Sequence, residues 1–279
     1  MRRAVRLGSL LLLAALSACS GAPSDSWPPA ATPEATPLAT AQADAVSGPE
    51  LLVAIAHRAP PAQPAMVADF RADLLADHCL DRDVAAPPAA DERLVVLDRT
   101  YGLPAGYAPD DLVAASTAGL AGASGSKLVS GAIVNDLRAM AAAWREAGLS
   151  VIIESAYRSY GSQVSTFNSW VARLGYAVAL ERSARPGHSE HQLGTALDLT
   201  SPGWGGRFGD WAVESGEGAW MVAHGWEFGF VMSYPVGSQG STCFSYEPWH
   251  YRWIGREAAA AQHASGLYPR QFLERYVGG

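Results

Sequence analysis

Apolar residues after position 130 recur with the spacing of an amphipathic helix. Between positions 130 and 147, four large apolar side chains are separated by four, three and four residues: Ile133, Leu137, Met140 and Trp144. This spacing places them on one face of a helix. Gly148 follows at the position where helices commonly end. The pattern predicts a helix over residues 130–147 with one buried side.

Short apolar runs alternate with further helical patterns along the rest of the chain. The runs that predict strands are residues 94–97, 151–153, 196–199, 230–232 and 250–254. The patterns that predict helices are residues 162–173, 217–224 and 256–264. Because the order of these elements lacks a strict strand–helix–strand rhythm, it favours an α+β domain with a central antiparallel sheet.

The first residues have the composition of an export signal rather than of a folded domain. A basic start precedes an apolar run over residues 7–18, which is too short for a membrane-spanning helix of about 20 residues. The run ends in Leu16-Ser17-Ala18-Cys19. This sequence resembles the lipobox of bacterial lipoproteins, in which the cysteine is lipidated and becomes the mature N-terminus. The resemblance implies that the protein is exported and anchored by Cys19 to the outer face of the cytoplasmic membrane. An ordinary signal peptide is the alternative.

Composition divides the remainder into three parts. Residues 19–48 are rich in Pro, Ala, Ser and Thr, which predicts a disordered tether. The helical periodicity in residues 49–92 predicts a helical lead-in, and residues 93–279 are expected to form the main domain. Apolar residues make up 49% of the chain, enough for a buried core, and the net charge of −7 gives no electrostatic reason to expect a nucleic-acid partner.

Three cysteines occur in the chain. If Cys19 carries lipid, Cys79 and Cys243 remain in an oxidising compartment, where a disulfide between them is one interpretation. Two separate thiols are the other.

Two short segments combine histidine with acidic residues. They are residues 189–198, which contain His191 and Asp198, and residues 247–250, which contain Glu247 and His250. A hydrolytic zinc site needs three protein ligands and an open position, and two histidines with one carboxylate would meet that need. Glu247, three residues before His250, is placed to act as a base that does not bind the metal. Since residues three apart on a strand point to opposite faces, we expect Pro248 to bend the chain so that both side chains converge.

These segments carry the resemblance to a known family. Residues 189–198 match S-x-H-x-x-G-x-A-x-D, residues 247–250 match E-x-x-H, and residues 155–160 read Ser-Ala-Tyr-Arg-Ser-Tyr. Together with Gln163, they are similar to the VanY-type D-alanyl-D-alanine carboxypeptidases, over about residues 94–264. The resemblance implies the small α+β zinc DD-peptidase fold, which is similar to hedgehog domains, with a central antiparallel sheet flanked by helices.

The resemblance also implies roles for individual residues. One zinc ion would be held by His191, Asp198 and His250. Glu247 would be the catalytic base, and Arg158 would steady the scissile carbonyl oxygen or the bound peptide. Polar residues implied to contact substrate are Gln163 and Ser189. Aromatic candidates for the groove wall, with core packing as the alternative, are Tyr157, Tyr234 and Trp249.

The activity implied is hydrolysis of the terminal D-Ala-D-Ala bond of peptidoglycan stem peptides. The stem peptide and the membrane, reached through the N-terminal lipid, are then the partners. An endopeptidase or dipeptidase of the same fold is one alternative, and a non-catalytic cell-wall-binding lipoprotein is another. The acidic residue at Glu247 argues against the non-catalytic alternative. Ser233 stands where many members of this family carry arginine, so the resemblance does not predict which substrate residues the subsites prefer.

Overall fold

A four-stranded antiparallel sheet lies at the centre of the part of the chain that the structure describes. The structure is a computed structural model, and it describes residues 79–86, 89, 91–120, 127–204 and 211–277. Helices surround the sheet, so the predicted α+β class is confirmed. The predicted signal peptide, the tether, Cys19 and residues 49–78, 87, 88 and 90 of the helical lead-in lie outside the described residues.

The strands and helices have the following bounds. The strands are β1 (Val84–Ala85), β2 (Tyr101–Gly102), β3 (Leu112–Ala114), β4 (Leu128–Ser130), β5 (Ile152–Ser155), β6 (Ala196–Thr200), β7 (Phe230–Met232) and β8 (His250–Trp253). The helices are α1 (Val134–Glu146), α2 (Tyr160–Leu174), α3 (Tyr176–Arg182), α4 (Trp211–Glu214), α5 (Gly216–His224), α6 (Gln239–Thr242), α7 (Arg256–Ser265) and α8 (Pro269–Val277). Within the described residues, no helix is both long and apolar enough to cross a bilayer.

The central sheet has the order β5-β6-β8-β7, and each neighbouring pair is antiparallel. In this register Asp198 of β6 lies opposite Ser155 of β5 on one side and His250 of β8 on the other. Pairing between β6 and β8 therefore brings together two residues that are far apart in the sequence.

Side chains along β6 alternate between the hydrophobic core and the opposite face of the sheet. Leu197 and Leu199 are fully buried in the main hydrophobic cluster, together with residues of α1. Asp198, between them, points to the other face because successive strand residues point in opposite directions. The predicted helix is confirmed as α1, whose Leu137 and Met140 are fully buried in the same cluster.

The predicted strand at residues 94–97 is wrong. Residues 92–94 form a 3-10 turn, and residues 95–97 are buried but belong to no strand in the described part of the chain. One carbonyl group of this run has a side-chain partner, because Nη2 of Arg252 donates to Val95 O at 2.7 Å. The same atom donates to Arg93 O, just before the run, at 2.9 Å. An apolar run shows burial, but it does not show whether the buried backbone pairs with a strand or a side chain.

Several elements were not predicted. Helix α8 contributes Phe272 and Leu273 to a second cluster, which includes Val231 of β7. The β3–β4 hairpin and helix α3 were also missed. Val84–Ala85, assigned to the lead-in from the sequence, pair in parallel with Tyr101–Gly102.

Candidate active site

His191, Asp198 and His250 converge on the face of the sheet away from the main cluster. Asp198 and His250 are register partners, and His191 belongs to the 3-10 turn Glu190–Leu193 that precedes β6. Asp198 Oδ2 lies 3.1 Å from His191 Nε2, and Asp198 Oδ1 lies 3.1 Å from His250 Nδ1. One ligand atom from each residue lies within 4.8 Å of the others, and all three residues are buried. This donor set of two nitrogens and one carboxylate fits a zinc ion.

The outer nitrogen of each imidazole is engaged by a second residue. His191 Nδ1 lies 2.8 Å from the carbonyl oxygen of Ala156, which can only accept, so this nitrogen carries the proton. His250 Nε2 lies 2.9 Å from Oε2 of Glu190. These contacts turn the opposite nitrogens, Nε2 of His191 and Nδ1 of His250, toward Asp198. Hydrogen bonds of this kind orient the ligands of protein metal sites and fix their tautomers.

Glu190 is a site residue that the sequence analysis missed. It is buried, and it accepts a hydrogen bond from Ser233 Oγ at 2.6 Å as well as from His250. Its other oxygen pairs with Arg252 Nη1 at 3.0 Å. Burial alone would raise the pKa of Glu190, but the charge of Arg252 and the contact with His250 lower it to about 2. Its position beside His191 in the sequence gave no sign that its side chain would reach His250.

The ionisable groups at the centre strongly shift one another's pKa values. Burial lowers the pKa of His191. Burial would also lower the pKa of His250, but hydrogen bonds to Asp198 and Glu190 outweigh this and raise it to about 10. Burial would raise the pKa of Asp198, yet the two histidines hold it well below its usual range. A carboxylate that stays ionised beside two imidazoles provides an environment suited to a cation.

Glu247 lies beside the three candidate ligands. The chain turns at Pro248, where the backbone N–H of His250 donates to Glu247 O at 3.2 Å. The turn places Glu247 Oε2 3.8 Å from His250 Nδ1, so the two side chains approach each other as expected. Burial raises the pKa of Glu247 to about 7, and a base with such a pKa suits proton transfer at neutral pH.

A cleft of about 310 Å³ opens over this centre. Besides the three candidate ligands and Glu247, the predicted residues that line it are Arg158, Gln163, Ser189, Tyr234 and Trp249. Tyr157 is not among the described residues that line the cleft. The ring of Tyr234 lies 5.0 Å from that of His250 and 5.2 Å from that of Phe244, so it forms part of the wall beside the metal centre.

Arg158 and Gln163 are held in different ways. The backbone N–H of Arg158 donates to His191 O at 3.1 Å. Its guanidinium charge adds to the effect of burial in lowering the pKa of His191 and partly opposes the effect of burial, which raises the pKa of Glu247. Gln163 is buried, and its Nε2 donates to Ser183 Oγ at 3.2 Å and to Ala184 O at 2.6 Å. Arg158 therefore acts electrostatically on the centre, whereas Gln163 holds the segment that forms the cleft wall.

His188 points away from the metal centre. Its Nδ1 lies 2.6 Å from Asp98 O, and its Nε2 lies 3.2 Å from Asp83 Oδ1. His188 therefore ties the N-terminal segment of the described chain to the domain.

Cys79 and Cys243 are joined by a disulfide, with a Cα–Cα distance of 5.4 Å. Cys243 directly precedes Phe244, which lines the cleft. The bond thus joins the first described residue to the loop beside the active site.

Comparisons with known proteins identify the family. Residues 126–256 match the family model VanY, D-alanyl-D-alanine carboxypeptidase. The Bacillus subtilis protein named "Putative carboxypeptidase YodJ" is 30% identical over 183 residues, which cover 65% of this chain and 67% of YodJ. The chain belongs to the VanY D-alanyl-D-alanine carboxypeptidase family. The predicted family and enzyme class are therefore confirmed.

Other VanY-family relatives agree with this assignment. A D-alanyl-D-alanine carboxypeptidase of Enterococcus faecalis is 33% identical over 140 residues, which cover 46% of this chain and 49% of that enzyme. The structure of the LD-carboxypeptidase LdcB has a TM-score of 0.57 and 30% identity, covering 64% of this chain and 84% of LdcB. A VanY variant from a VanB-type vancomycin resistance cassette, solved with Zn(II), has a TM-score of 0.55 and 29% identity, covering 66% of this chain and 99% of that one.

Proposed function

We propose that this protein hydrolyses the terminal D-Ala-D-Ala bond of peptidoglycan stem peptides and that one zinc ion is bound by His191, Asp198 and His250. The observation that carries the proposal is the convergence of these three side chains beside Glu247, at the base of an open cleft. A VanY relative solved with D-alanine-D-alanine supports the substrate, and one solved with Zn(II) supports the metal.

The residues of the chain fit the chemistry of a zinc peptidase. When bound, the ion supplies Lewis acidity that activates water and polarises the scissile carbonyl group. Glu247 takes the proton of the attacking water and passes it to the leaving amine. The guanidinium of Arg158 offsets the negative charge that develops on the carbonyl oxygen, a contribution of about 3 kcal/mol in comparable sites.

A second candidate is removal of the last D-alanine from a tetrapeptide, where the preceding residue has an L-centre. The similarity to LdcB, which is an LD-carboxypeptidase, favours this activity. Both reactions release free D-alanine, so the peptide supplied, and not the product, distinguishes them.

The location proposed for the enzyme is the outer face of the cytoplasmic membrane. The residues that support it are the apolar run 7–18 and the lipobox-like sequence ending at Cys19. Cys19→Ala would then lose metabolic labelling with a radioactive fatty acid, and continued labelling of this variant would reject lipidation at Cys19.

Metal content and D-alanine release test the function together. We expect the purified protein to hold one zinc ion per chain and to release D-alanine from a pentapeptide ending in D-Ala-D-Ala. Glu247→Gln should keep the zinc but lose at least about a hundredfold in kcat, because the base is removed while the ligands remain.

Glu146→Gln, an exposed change on α1, is the matched control and should keep full activity. Unchanged turnover in Glu247→Gln would reject the assigned base. Cleavage of an internal bond without D-alanine release would reject a carboxypeptidase and favour the endopeptidase alternative.

A further inference from the structure

Two charged side chains line the same cleft but take no part in the metal centre. They are Glu154 on β5 and Arg182 at the end of α3. Among the described residues neither side chain has a hydrogen bond or an ion pair, and the two do not pair with each other. Two opposite charges that face one cleft without partners are available to a ligand that carries both charges.

The backbone turns Glu154 toward the cleft. The register between β5 and β6 shifts between Ile153 and Ser155, which marks a β-bulge at Glu154. Ile153 is buried in the main cluster, whereas Glu154 and Ser155 both line the cleft. A bulge of this kind commonly redirects a side chain beside an active site. The Nζ atom of Lys127 donates to the carbonyl oxygen of Glu154 and fixes the bulge.

The backbone around Arg182 is fixed on both sides, although its side chain is exposed. The N–H of Ser245 donates to Glu181 O at 3.1 Å. Gln163 Nε2 donates to Ser183 Oγ and to Ala184 O, at 3.2 and 2.6 Å. The guanidinium therefore extends over the cleft from a rigid base.

Trp170 supplies an apolar surface to the same cleft. It lines the cleft, and the guanidinium of Arg173 lies over its ring at 4.3 Å from the centroid. A chain of methylene groups could lie against such a surface. The distal site, as we call Glu154, Trp170 and Arg182, therefore suits a side chain with an apolar stem and a zwitterionic end.

We propose that the distal site binds the side chain of the stem-peptide residue that precedes the D-alanine end, with Glu154 receiving an ammonium group and Arg182 a carboxylate. This inference rests on the proposed function and adds the substrate class: stem peptides that contain a diamino dicarboxylic residue such as diaminopimelate with a free, uncrosslinked end. A lysine residue at the same place would satisfy Glu154 but would leave Arg182 without a partner. Arg158 is not part of the distal site, because its charge acts on His191 and Glu247.

Two pentapeptides that differ only at the third residue, meso-diaminopimelate or lysine, test the distal site. We expect the zinc-loaded wild-type enzyme to have the higher kcat/KM on the diaminopimelate peptide. Arg182→Gln should lower kcat/KM on that peptide about tenfold, the size of one charge-assisted contact, and leave the lysine peptide unchanged. Glu154→Gln should lower kcat/KM on both peptides, since both carry the ammonium group.

Matched controls are Arg145→Gln and Glu146→Gln, two exposed positions on α1 that do not line the cleft. Both should keep the wild-type ratio between the peptides. A ratio that stays the same in Arg182→Gln, or a lysine peptide that loses as much as the diaminopimelate peptide, would overturn the proposal while leaving the proposed function intact.

Binding separates this inference from the proposed function. A wild-type enzyme that hydrolyses neither pentapeptide would contradict the function. The dissociation constants of the two peptides, measured by calorimetry on zinc-loaded Glu247→Gln with and without Arg182→Gln, then decide the distal site. Loss of affinity for the diaminopimelate peptide alone supports it, and equal affinities throughout reject it.

Discussion

The residues of the candidate metal site are oriented by contacts on the side of each ring that faces away from Asp198. Nδ1 of His191 donates a hydrogen bond to Ala156 O, and Nε2 of His250 donates one to Glu190. His191 therefore turns its Nε2 toward Asp198, and His250 turns its Nδ1 toward Asp198. Burial would lower the pKa of His250, but hydrogen bonds to the carboxylates of Asp198 and Glu190 stabilise a proton on the imidazole and raise it. A metal ion and this proton therefore compete for the same position.

Zinc binding should weaken as the pH falls. The pKa of His250 is raised to about 10 in the metal-free protein, so at pH 7 the imidazole is protonated and must release a proton before it can bind zinc. Since protonation competes with zinc below this pKa, the apparent association constant should rise about tenfold for each pH unit between pH 7 and pH 9. Competition with a chelator of known affinity, at several pH values, measures this slope. An affinity that does not change between pH 7 and pH 9 would contradict the raised pKa of His250.

At the scale of elements, the turn that carries His191 and the strand that carries His250 are locked together. Glu190, in the turn, contacts both His250 and Arg252 of β8. Gly194 ends the turn with a φ of 72°, and a Cβ there would lie 3.2 Å from the backbone nitrogen of Ser130. A left-handed conformation and a close approach to β4 both favour glycine at this position. The turn is thus held against β8 on one side and β4 on the other.

Glu190→Gln should weaken both the fold and the metal site. Arg252 is 1% exposed, so loss of the Glu190 charge leaves a buried cation without its counter-charge. We expect the free energy of unfolding to fall by about 3 kcal/mol, as for other broken buried ion pairs. The dissociation constant for zinc should rise about 10- to 100-fold, as for other residues that orient a metal ligand. Urea denaturation and chelator competition measure the two effects.

The exposed substitution Glu146→Gln is again the control, and it should change neither quantity. An unchanged zinc affinity in a folded Glu190→Gln protein would show that Glu190 does not position His250.

At the scale of the whole molecule, the N-terminal segment of the described chain is fastened to the domain at several points. The disulfide links Cys79 to Cys243 across 164 positions of sequence. Asp83 pairs with Arg185 at 2.6 Å, and β1 pairs with β2. The N-terminal segment of the described chain is therefore part of the domain, and its disulfide reaches the loop beside the cleft.

Removal of the disulfide should destabilise the protein. The double variant Cys79→Ser/Cys243→Ser frees a long loop in the unfolded state, which should lower the free energy of unfolding by about 2 to 5 kcal/mol. Denaturation in urea under oxidising conditions measures the loss. Wild-type protein treated with a reducing agent should match the double variant. Equal stability of the oxidised wild type and the double variant would show that the bond contributes nothing.

Residue chemistry and local sequence pattern were enough to predict much of the fold and most of the candidate site from the sequence alone. Residue types and short spacings singled out His191, Asp198, Glu247 and His250, and the periodicity of apolar residues predicted α1 and most of the central sheet. These features can be read within a few neighbouring residues, because they depend on helix and strand geometry and on the donor atoms that a metal prefers.

Only the tertiary structure decided which distant segments meet. Pairing of β6 with β8 placed Asp198 beside His250, and packing of the turn against β8 aimed Glu190 at the same imidazole. The buried run at residues 94–97 forms no strand, and its Val95 O accepts a hydrogen bond from the side chain of Arg252. The bulge that turns Glu154 into the cleft is equally invisible in the sequence. These contacts depend on how separate elements pack, and the pattern of apolar and polar residues within one element does not specify its partners.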